Sequence, residues 1–491
     1  MNCNPQFVHL LAATILFASS LLTSSESWGR VIGGPQVSPR PNVVLFFIDD
    51  LGYMDLGCYG SESYRTPNLD RLAQRSVRFT DFYSANPVCS PTRAALMTGK
   101  APHRLGITQW INQPNDIHLP LSETTIAEAL AEQGYRTGYI GKWHLGEKDN
   151  QMPNAQGFQW MQCVNRAGAP GSYFFPFKRN RKRDNGIAYW DVPDLADRQD
   201  GDYLTDELTD KAIEFIDLES DKPFFLCFAH YAVHTPIQAP KQLVQRYSDE
   251  FAKLPKLTQD FLPERNGGKT RVRQDNPTYA AMVENLDTNV GRVLKHLEQK
   301  GLTGNTIVVF TSDNGGLSTT RRVGPTSCRP LRAGKGWTYE GGIRIPTLVS
   351  WPGEIAPAVA DEPAITMDIY PTLLELTGID ARPDQHLDGL SLVSVLRGQP
   401  EAQLQNRFLA WTYPHHHGSA HSPSNAIRLG PWKLVQKTDD QTADGERLEL
   451  YNLEDDLGER KNLVDQYPDR AKALKGKLEA WLEATTPKPD Q

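Results

Sequence analysis

The sequence lacks the features of a membrane-spanning or nucleic-acid-binding protein. Its one long apolar run, residues 7–22, is too short and wrongly flanked for a membrane span, and no second run of this kind occurs. Acidic residues outnumber basic ones, 59 against 52, and the formal net charge is −7, so nucleic acid is not an expected partner. An anionic substrate must therefore be attracted by a locally basic site rather than by the whole surface.

The N-terminal apolar run is instead typical of an export signal. Small residues at Ser25 and Ser27 predict cleavage near Ser27, although the segment before the run lacks the usual Lys or Arg. An uncleaved anchor is the alternative. We expect residues 1–27 to be a signal peptide, the protein to be secreted or periplasmic, and no stable membrane insertion.

Cysteines are few, six in 491 residues, and their spacing is too wide for a zinc site. Cys3 lies within the expected signal peptide, and Cys89 belongs to a motif described below. The remaining four would permit two disulfides in an oxidising compartment, but the sequence does not reveal their pairing. These four are Cys58, Cys163, Cys227 and Cys328.

Short β-branched and aromatic runs alternate with helical patterns over the first four hundred residues. Strands are predicted over 42–48, 135–140, 224–229 and 306–311. Helices are predicted over 121–133, beginning at Ser122 and ending at Gly134, and over 279–300. This alternation predicts an α/β fold whose large mixed, mostly parallel sheet is flanked by helices.

The pattern changes beyond about residue 400. Runs at 408–413, 426–435 and 447–451 predict strands, and 469–484 predicts an amphipathic helix. We therefore expect a smaller C-terminal antiparallel sheet with one packed helix. The predicted division is a catalytic α/β domain over 28–400 and a C-terminal subdomain over 401–491.

Acidic residues directly follow two of the predicted strands. Asp49 and Asp50 come after the first, and Asp313 and Asn314 come after the fourth. Ligands of open α/β sheets bind at the carboxyl ends of the strands. Three carboxylates and an amide there would form an all-oxygen site for a hard cation, Ca²⁺ or Mg²⁺. Either pair alone would suit an ordinary turn equally well, but their joint position favours a metal site.

A second candidate site is centred on Cys89. Ser90 can cap a short helix, with Pro91 at its first position and Gly99 at its end. Cys89 would then lie at the positive end of the helix, with Arg93 one turn further on. By itself this pattern fits either a small buried side chain or a nucleophile.

The motifs in this order resemble the formylglycine-dependent sulfatases, the type I arylsulfatase-like family of the alkaline phosphatase superfamily. Cys-x-Pro-x-Arg at 89–93, followed by Ala-Ala-Leu-Met-Thr-Gly, is similar to the family signature whose cysteine a dedicated enzyme oxidises to formylglycine, or 3-oxoalanine. The resemblance spans roughly residues 40–460. Its other landmarks are Asp49-Asp50, 141–146, His234-Thr235-Pro236, Asp313-Asn314-Gly315, Gly334-Lys335-Gly336, Glu340-Gly341-Gly342 and 450–453.

The resemblance implies a cation and an unusual nucleophile. Asp49, Asp50, Asp313 and Asn314 would hold Ca²⁺, or Mg²⁺, together with the modified Cys89. One oxygen of the formylglycine hydrate would attack sulfur and displace the alcohol, leaving sulfate on residue 89.

Further roles follow from the same resemblance. Lys142 and His144 are two residues apart on an extended segment, so both would point to one face. Lys142 would bind sulfate, and His144 would take a proton from the remaining hydroxyl and so expel sulfate. Arg93 would stabilise the ionised hydrate. His234 and Lys335 would lie near the leaving oxygen, with His234 as the proton donor.

The implied activity is hydrolysis of sulfuric esters of a carbohydrate, an extracellular polysaccharide or its oligosaccharides, after activation by a formylglycine-generating or other sulfatase-maturing enzyme. Two further segments could contact such a substrate or be ordinary solvated loops: a basic run at 178–183, and four histidines before Arg428. The histidines are His415, His416, His417 and His421. The alternative functions are a phosphodiesterase or phosphonate hydrolase of the same superfamily and an inactive sulfoglycan-binding protein.

Overall fold

A computed structural model describes residues 40–111, 116–179, 189–399, 402–438 and 446–487. The strands, numbered along the chain, are β1 (Asn42–Ile48), β2 (Val77–Phe79), β3 (Phe82–Tyr83), β4 (Arg136–Gly141), β5 (Trp160–Gln162), β6 (Phe224–Ala229), β7 (Phe261–Pro263), β8 (Lys269–Arg271), β9 (Thr306–Ser312), β10 (Thr319–Thr320), β11 (Thr347–Ser350), β12 (Ala358–Ala360), β13 (Ala364–Ile365), β14 (Phe408–Tyr413), β15 (Ser424–Leu429), β16 (Trp432–Lys437) and β17 (Arg447–Asn452). The helices are α1 (Pro67–Ala73), α2 (Cys89–Thr98), α3 (Ile126–Glu132), α4 (Leu204–Asp217), α5 (Lys241–Phe251), α6 (Pro277–Gln299), α7 (Glu340–Ile343), α8 (Ile369–Leu376), α9 (Val393–Leu396), α10 (Ala402–Asn406) and α11 (Pro468–Thr485).

The main sheet has eight strands in the order β12-β2-β11-β9-β1-β6-β4-β5. Its central strands β9, β1, β6 and β4 are all parallel, whereas β11 is antiparallel to both of its neighbours. All seven residues of β1 are buried, because alternate side chains enter separate apolar cores on the two faces of the sheet. The predicted mixed, mostly parallel sheet is confirmed.

The C-terminal sheet is antiparallel, in the order β14-β15-β16-β17, as predicted. Apolar side chains of all four strands pack against α11 on one face. The other face packs against the main sheet's loops through a core that includes Trp337 and Trp411. Beside this core, the buried Lys433 ammonium lies 2.8 Å from carboxylate oxygens of both Glu340 and Glu459.

Two predicted elements were wrong in extent. The helix predicted over 121–133 begins only at Ile126, because Thr125 rather than Ser122 caps it: Thr125 and Glu128 exchange reciprocal backbone–side-chain hydrogen bonds. The single strand predicted over 426–435 is two strands, β15 and β16, which a turn at Gly430 and Pro431 separates.

Other predictions concern disulfides and export. The four cysteines that would permit two disulfides are unpaired: Cys58, Cys163, Cys227 and Cys328 are free, as is Cys89. The predicted signal peptide lies outside the described residues, as does the basic run beyond residue 179. Among the helices that the structure describes, none has the length and apolar character needed to cross a bilayer.

Candidate active site

The predicted metal ligands meet at the carboxyl ends of neighbouring parallel strands. Asp49 and Asp50 follow β1, and Asp313 and Asn314 follow the adjacent β9. The Asp50 backbone, at a left-handed φ of 60°, donates to Asp313 Oδ1 at 3.1 Å. Asn314 Nδ2 donates to Asp50 Oδ1 at 2.8 Å. All four residues are buried, so the two strand ends form one oxygen-rich cluster.

Two lysines form ion pairs with carboxylates of this cluster. Lys142, which follows β4, donates to both carboxylate oxygens of Asp49 at 2.8 and 2.7 Å. Lys335 places its Nζ 2.6 Å from Asp50 Oδ1, and His234 Nε2 lies 3.7 Å from Asp50 Oδ2. The predicted sulfate-binding and leaving-group residues are therefore adjacent to the predicted metal ligands.

Burial and these cations move the carboxyl pKa values in opposite directions. Burial raises the pKa of Asp49 well above its usual value despite the opposing charge of Lys142. Burial would raise the pKa of Asp50 as well, but Lys335 and His234 lower it below the usual range. Asp50 therefore ionises more readily than Asp49.

Arg93 links three of the converging segments. Its Nε and Nη2 donate to Asp313 Oδ2 at 3.0 and 2.7 Å, and its Nη1 donates to the Lys142 carbonyl at 2.7 Å. Its guanidinium also lies over the Phe47 ring, 4.9 Å from the centroid. Arg93 therefore positions the strand ends, and no hydrogen bond joins it to Cys89 among the described residues.

The helix that carries Cys89 begins two residues earlier than predicted. Val88 is its N-cap and Cys89 its first residue, so Ser90 is not the cap. The Ser90 hydroxyl instead accepts a hydrogen bond from the Ile111 backbone at 2.9 Å. Gly99, at a φ of 69°, ends the helix as predicted.

His144 has a defined tautomer beside Cys89. Its Nε2 lies 2.9 Å from the Ile111 carbonyl oxygen, which can only accept, so Nε2 bears the hydrogen. Its Nδ1 then presents a lone pair to Cys89 Sγ at 3.2 Å. Burial, followed by Lys142, lowers the pKa of His144 well below its usual value. The imidazole is therefore a neutral acceptor facing residue 89.

Cys89 and His144 form part of the floor of a cavity of about 500 Å³. Its lining residues are Cys89, Trp110, Ile111, His144, Gly168, Ala169, Tyr189, Trp190, His234, Lys335 and His417. Gly168 is required here, because a Cβ would lie 2.1 Å from His144 Cε1. Ionisable groups at the floor and aromatic side chains along the wall give the cavity two chemically distinct parts.

Sequence reasoning missed the aromatic wall and only partly identified the histidines. Of the four histidines considered, His417 lines the cavity, whereas His415 contacts Thr108 Oγ1 at 2.9 Å and His416 is exposed. His421 is buried against Trp337. The aromatic residues belong to no sequence motif, so the sequence does not mark them as lining a cavity.

Comparisons with known proteins agree with this geometry. The Sulfatase family model matches residues 41–379, and that of the N-sulphoglucosamine sulphohydrolase C-terminal region matches residues 333–486. Human arylsulfatase A is 34% identical over 462 residues, which cover 88% of this chain and 85% of that protein. Mouse N-acetylgalactosamine-6-sulfatase is 35% identical over 411 residues, covering 79% and 72%.

A solved structure extends the similarity to the whole fold. The complex of Ps i-CgsB with k-i-k-neocarrahexaose has a TM-score of 0.74 and 30% identity, covering 92% of this chain and 94% of that one. The chain therefore belongs to the sulfatase family, as its motifs indicated, and is a sulfuric ester hydrolase.

Proposed function

We propose that this chain removes sulfate from a sulfated carbohydrate, using formylglycine formed from Cys89 as its nucleophile and a bound Ca²⁺ ion. The observation that carries the proposal is the neutral acceptor His144 Nδ1, 3.2 Å from Cys89 Sγ, beside a buried carboxylate cluster. Secretion through the signal peptide at 1–27 and activation by a sulfatase-maturing enzyme belong to the same proposal.

The unmodified thiol is poorly suited to attack. Burial raises the pKa of Cys89 despite the opposing effect of Lys142 and Lys335. A cysteine nucleophile needs a lowered pKa, because the thiolate is the reactive form. An aldehyde hydrate at this position would supply two hydroxyl groups, one to attack sulfur and one whose deprotonation releases sulfate. His144 Nδ1 is the acceptor for that second proton.

The carboxylate cluster fits a hard cation. Asn314 Nδ2 donates to Asp50 and to the Gly315 carbonyl, which fixes the orientation of the amide. Its Oδ1 is buried with no hydrogen-bond partner among the described residues. This unpaired amide oxygen and the neighbouring carboxylate oxygens form the all-oxygen kind of ligand set that Ca²⁺ prefers. Asp49, Asp50, Asp313 and Asn314 would hold the ion, which would polarise the sulfate ester.

Lys335 and His234 suit the side of the departing alcohol. Burial would lower the pKa of Lys335, but the surrounding acidic groups, Asp50 foremost, together raise it, so its ammonium persists. His234 Nδ1 lies 2.9 Å from the Thr235 carbonyl and bears the hydrogen, which leaves Nε2 as a lone pair in the neutral ring. Burial, then Lys335, lowers the pKa of His234 to about 3. A bound anionic sulfate ester would favour the imidazolium, which could then donate from Nε2.

The cavity supports a carbohydrate rather than a bare sulfate ester. Its volume of about 500 Å³ lies within the range of small-molecule sites. Trp110, which is 40% exposed, offers an aromatic face against which a sugar ring can pack, in the cavity that the Lys335 ammonium also lines. Trp190 lines the same cavity, with the Arg179 guanidinium 5.1 Å from the centroid of its ring. The relatives named above include an N-acetylgalactosamine-6-sulfatase and a protein solved with a neocarrahexaose.

Matched nitrophenyl esters test the reaction. Protein produced with a sulfatase-maturing enzyme should release sulfate from para-nitrophenyl sulfate, lose the activity in a chelator and regain it with Ca²⁺. Cys89→Ser should abolish turnover, whereas Cys58→Ser, a half-buried cysteine outside the cavity, should retain it. Faster hydrolysis of the matched phosphate diester or phosphonate would favour the alternative superfamily activity. Wild-type turnover by Cys89→Ser would exclude the proposed nucleophile.

A further inference from the structure

His417 extends the cavity from the C-terminal layer. It lies in the loop between β14 and β15, where its backbone N–H donates to the His421 carbonyl at 3.2 Å. Its side chain lines the cavity together with Cys89, His144 and Lys335. The main sheet thus supplies the reacting groups, and the C-terminal sheet supplies this additional polar group.

The tautomer of His417 follows from its neighbour Ser419. The Ser419 backbone N–H can only donate, and it donates to His417 Nδ1 at 3.2 Å. The Ser419 hydroxyl lies 2.8 Å from the same nitrogen. Burial, then the charge of Lys335, lowers the pKa of His417 to about 4, so the ring is neutral at neutral pH. Nδ1 is therefore the acceptor, and the single ring hydrogen is on Nε2.

Two contacts hold this ring against the lysine loop. The Ser419 carbonyl accepts a hydrogen bond from Trp337 Nε1 at 3.0 Å, which fixes the residue that orients the imidazole. Gly336, directly after Lys335, has a left-handed φ of 81°, and a Cβ there would lie 2.3 Å from His417 Nδ1. The Lys335 turn and the His417 loop consequently pack in direct contact.

His417 Nε2–H has no protein acceptor among the described residues, although the ring's other nitrogen is fully engaged. We propose that this N–H binds an oxygen atom of the sugar ring or its substituents, next to the sulfated carbon, and so makes His417 a specificity-determining residue. Lys142 would bind the sulfate group itself. This inference rests on the proposed carbohydrate sulfatase function.

Comparing a sugar substrate with an aryl substrate tests the assignment, because only the sugar offers such an oxygen. The probes are N-acetylgalactosamine 6-sulfate, k-i-k-neocarrahexaose and para-nitrophenyl sulfate. His417→Leu removes the donor, and His417→Gln retains an amide N–H at about the position of Nε2. His416→Leu, an exposed neighbour outside the cavity, is the control.

We expect His417→Leu to lower kcat/KM on the hydrolysed sugar by about 10- to 100-fold, the effect of leaving a substrate oxygen without its partner. Turnover of para-nitrophenyl sulfate should stay within about twofold of the wild-type value, since this ester has no sugar oxygen to accept the His417 hydrogen bond. His417→Gln should recover most of the sugar activity. His416→Leu should match the wild type, and thermal melting should show that all variants fold.

Other outcomes overturn the proposal in distinguishable ways. An equal loss on both kinds of substrate would place His417 at the sulfate or in the fold, and no loss on the sugar would remove it from the binding site. Wild-type turnover of the aryl ester, with neither sugar hydrolysed nor competing, would exclude the sugar-binding role while leaving the hydrolase activity. Failure to hydrolyse the aryl ester at all would instead refute the proposed function.

Discussion

Arg93 connects the ends of two strands of the site, so its replacement should destabilise the fold and not only the activity. The Arg93 and Asp313 side chains are 1% and 0% exposed, and their closest atoms are 2.7 Å apart. Arg93→Met keeps a side chain of similar length but removes the three hydrogen bonds that Arg93 donates. The buried Asp313 carboxylate would then still accept a hydrogen bond from the Asp50 backbone N–H.

The expected cost follows from this burial. Removing one partner of a buried ion pair costs about 3–5 kcal/mol, because the other charge is left without compensation. At about 1.4 kcal/mol per factor of ten, the folding equilibrium constant should fall by about two to four orders of magnitude. By contrast, Arg65 pairs with Glu250 at 2.7 Å on the surface, with 49% and 35% exposure, so Arg65→Met should cost less than about 1 kcal/mol.

The cost should also depend on pH. Burial would raise the pKa of Asp313, but the charges of Arg93, Lys142 and Lys335 together outweigh it and lower the pKa below the usual value. A lowered carboxyl pKa contributes stability above the unfolded value of about 3.9, and this contribution is lost as the pH falls through the folded value. The difference between wild type and Arg93→Met should therefore shrink below about pH 4.

Urea unfolding in a chelator, which removes any cation contribution, measures this difference at pH 7 and at about pH 3. Adding Asp313→Asn to Arg93→Met should recover part of the lost free energy of unfolding, because it neutralises the uncompensated charge. An Arg93→Met protein within about 1 kcal/mol of the wild type at pH 7 would refute the reasoning.

Three further predictions concern the site's base, its backbone packing and the C-terminal layer. Because burial holds the pKa of His144 well below about 6.5, log kcat should fall only at pH values well below this, and an acidic limb near 6.5 would contradict the assigned base. Gly315→Ala should lower kcat by about 100-fold, since its Cβ would lie 1.9 Å from a backbone oxygen, whereas Gly304→Ala, which enters open space, should not. Lys433→Met should cost about 3–5 kcal/mol in urea unfolding by leaving the buried Glu459 without its ammonium, while Glu340 keeps the Arg344 guanidinium, and unchanged stability would contradict the described packing.

The sheet and its acidic ends could be predicted because local sequence determines them. The predicted bounds of β1 and β6 coincide with the observed ones, since both are continuous apolar runs buried on two faces. Two errors came from competing local signals. Thr125 and Glu128 form a capping box that outweighs Ser122, and Gly430 begins a turn that divides an otherwise continuous run.

The cavity wall could not be predicted, because residues far apart in sequence form it. Trp110 and Trp190 come from loops without periodicity, and His417 reaches the site only because the C-terminal sheet packs against the loop that carries Lys335. Contacts of this kind depend on how two layers pack together. The roles assigned to Lys142, His144 and His234 remain predictions that turnover must test.

In the proposed function, residue 89 reacts as an aldehyde hydrate rather than as a thiol. Mass spectrometry of the peptide containing Cys89, from protein whose para-nitrophenyl sulfate turnover has been measured, tests it most directly. We expect formylglycine at this position, in a fraction that rises in proportion to the specific activity. Fully active protein that carries only the unmodified thiol would contradict it.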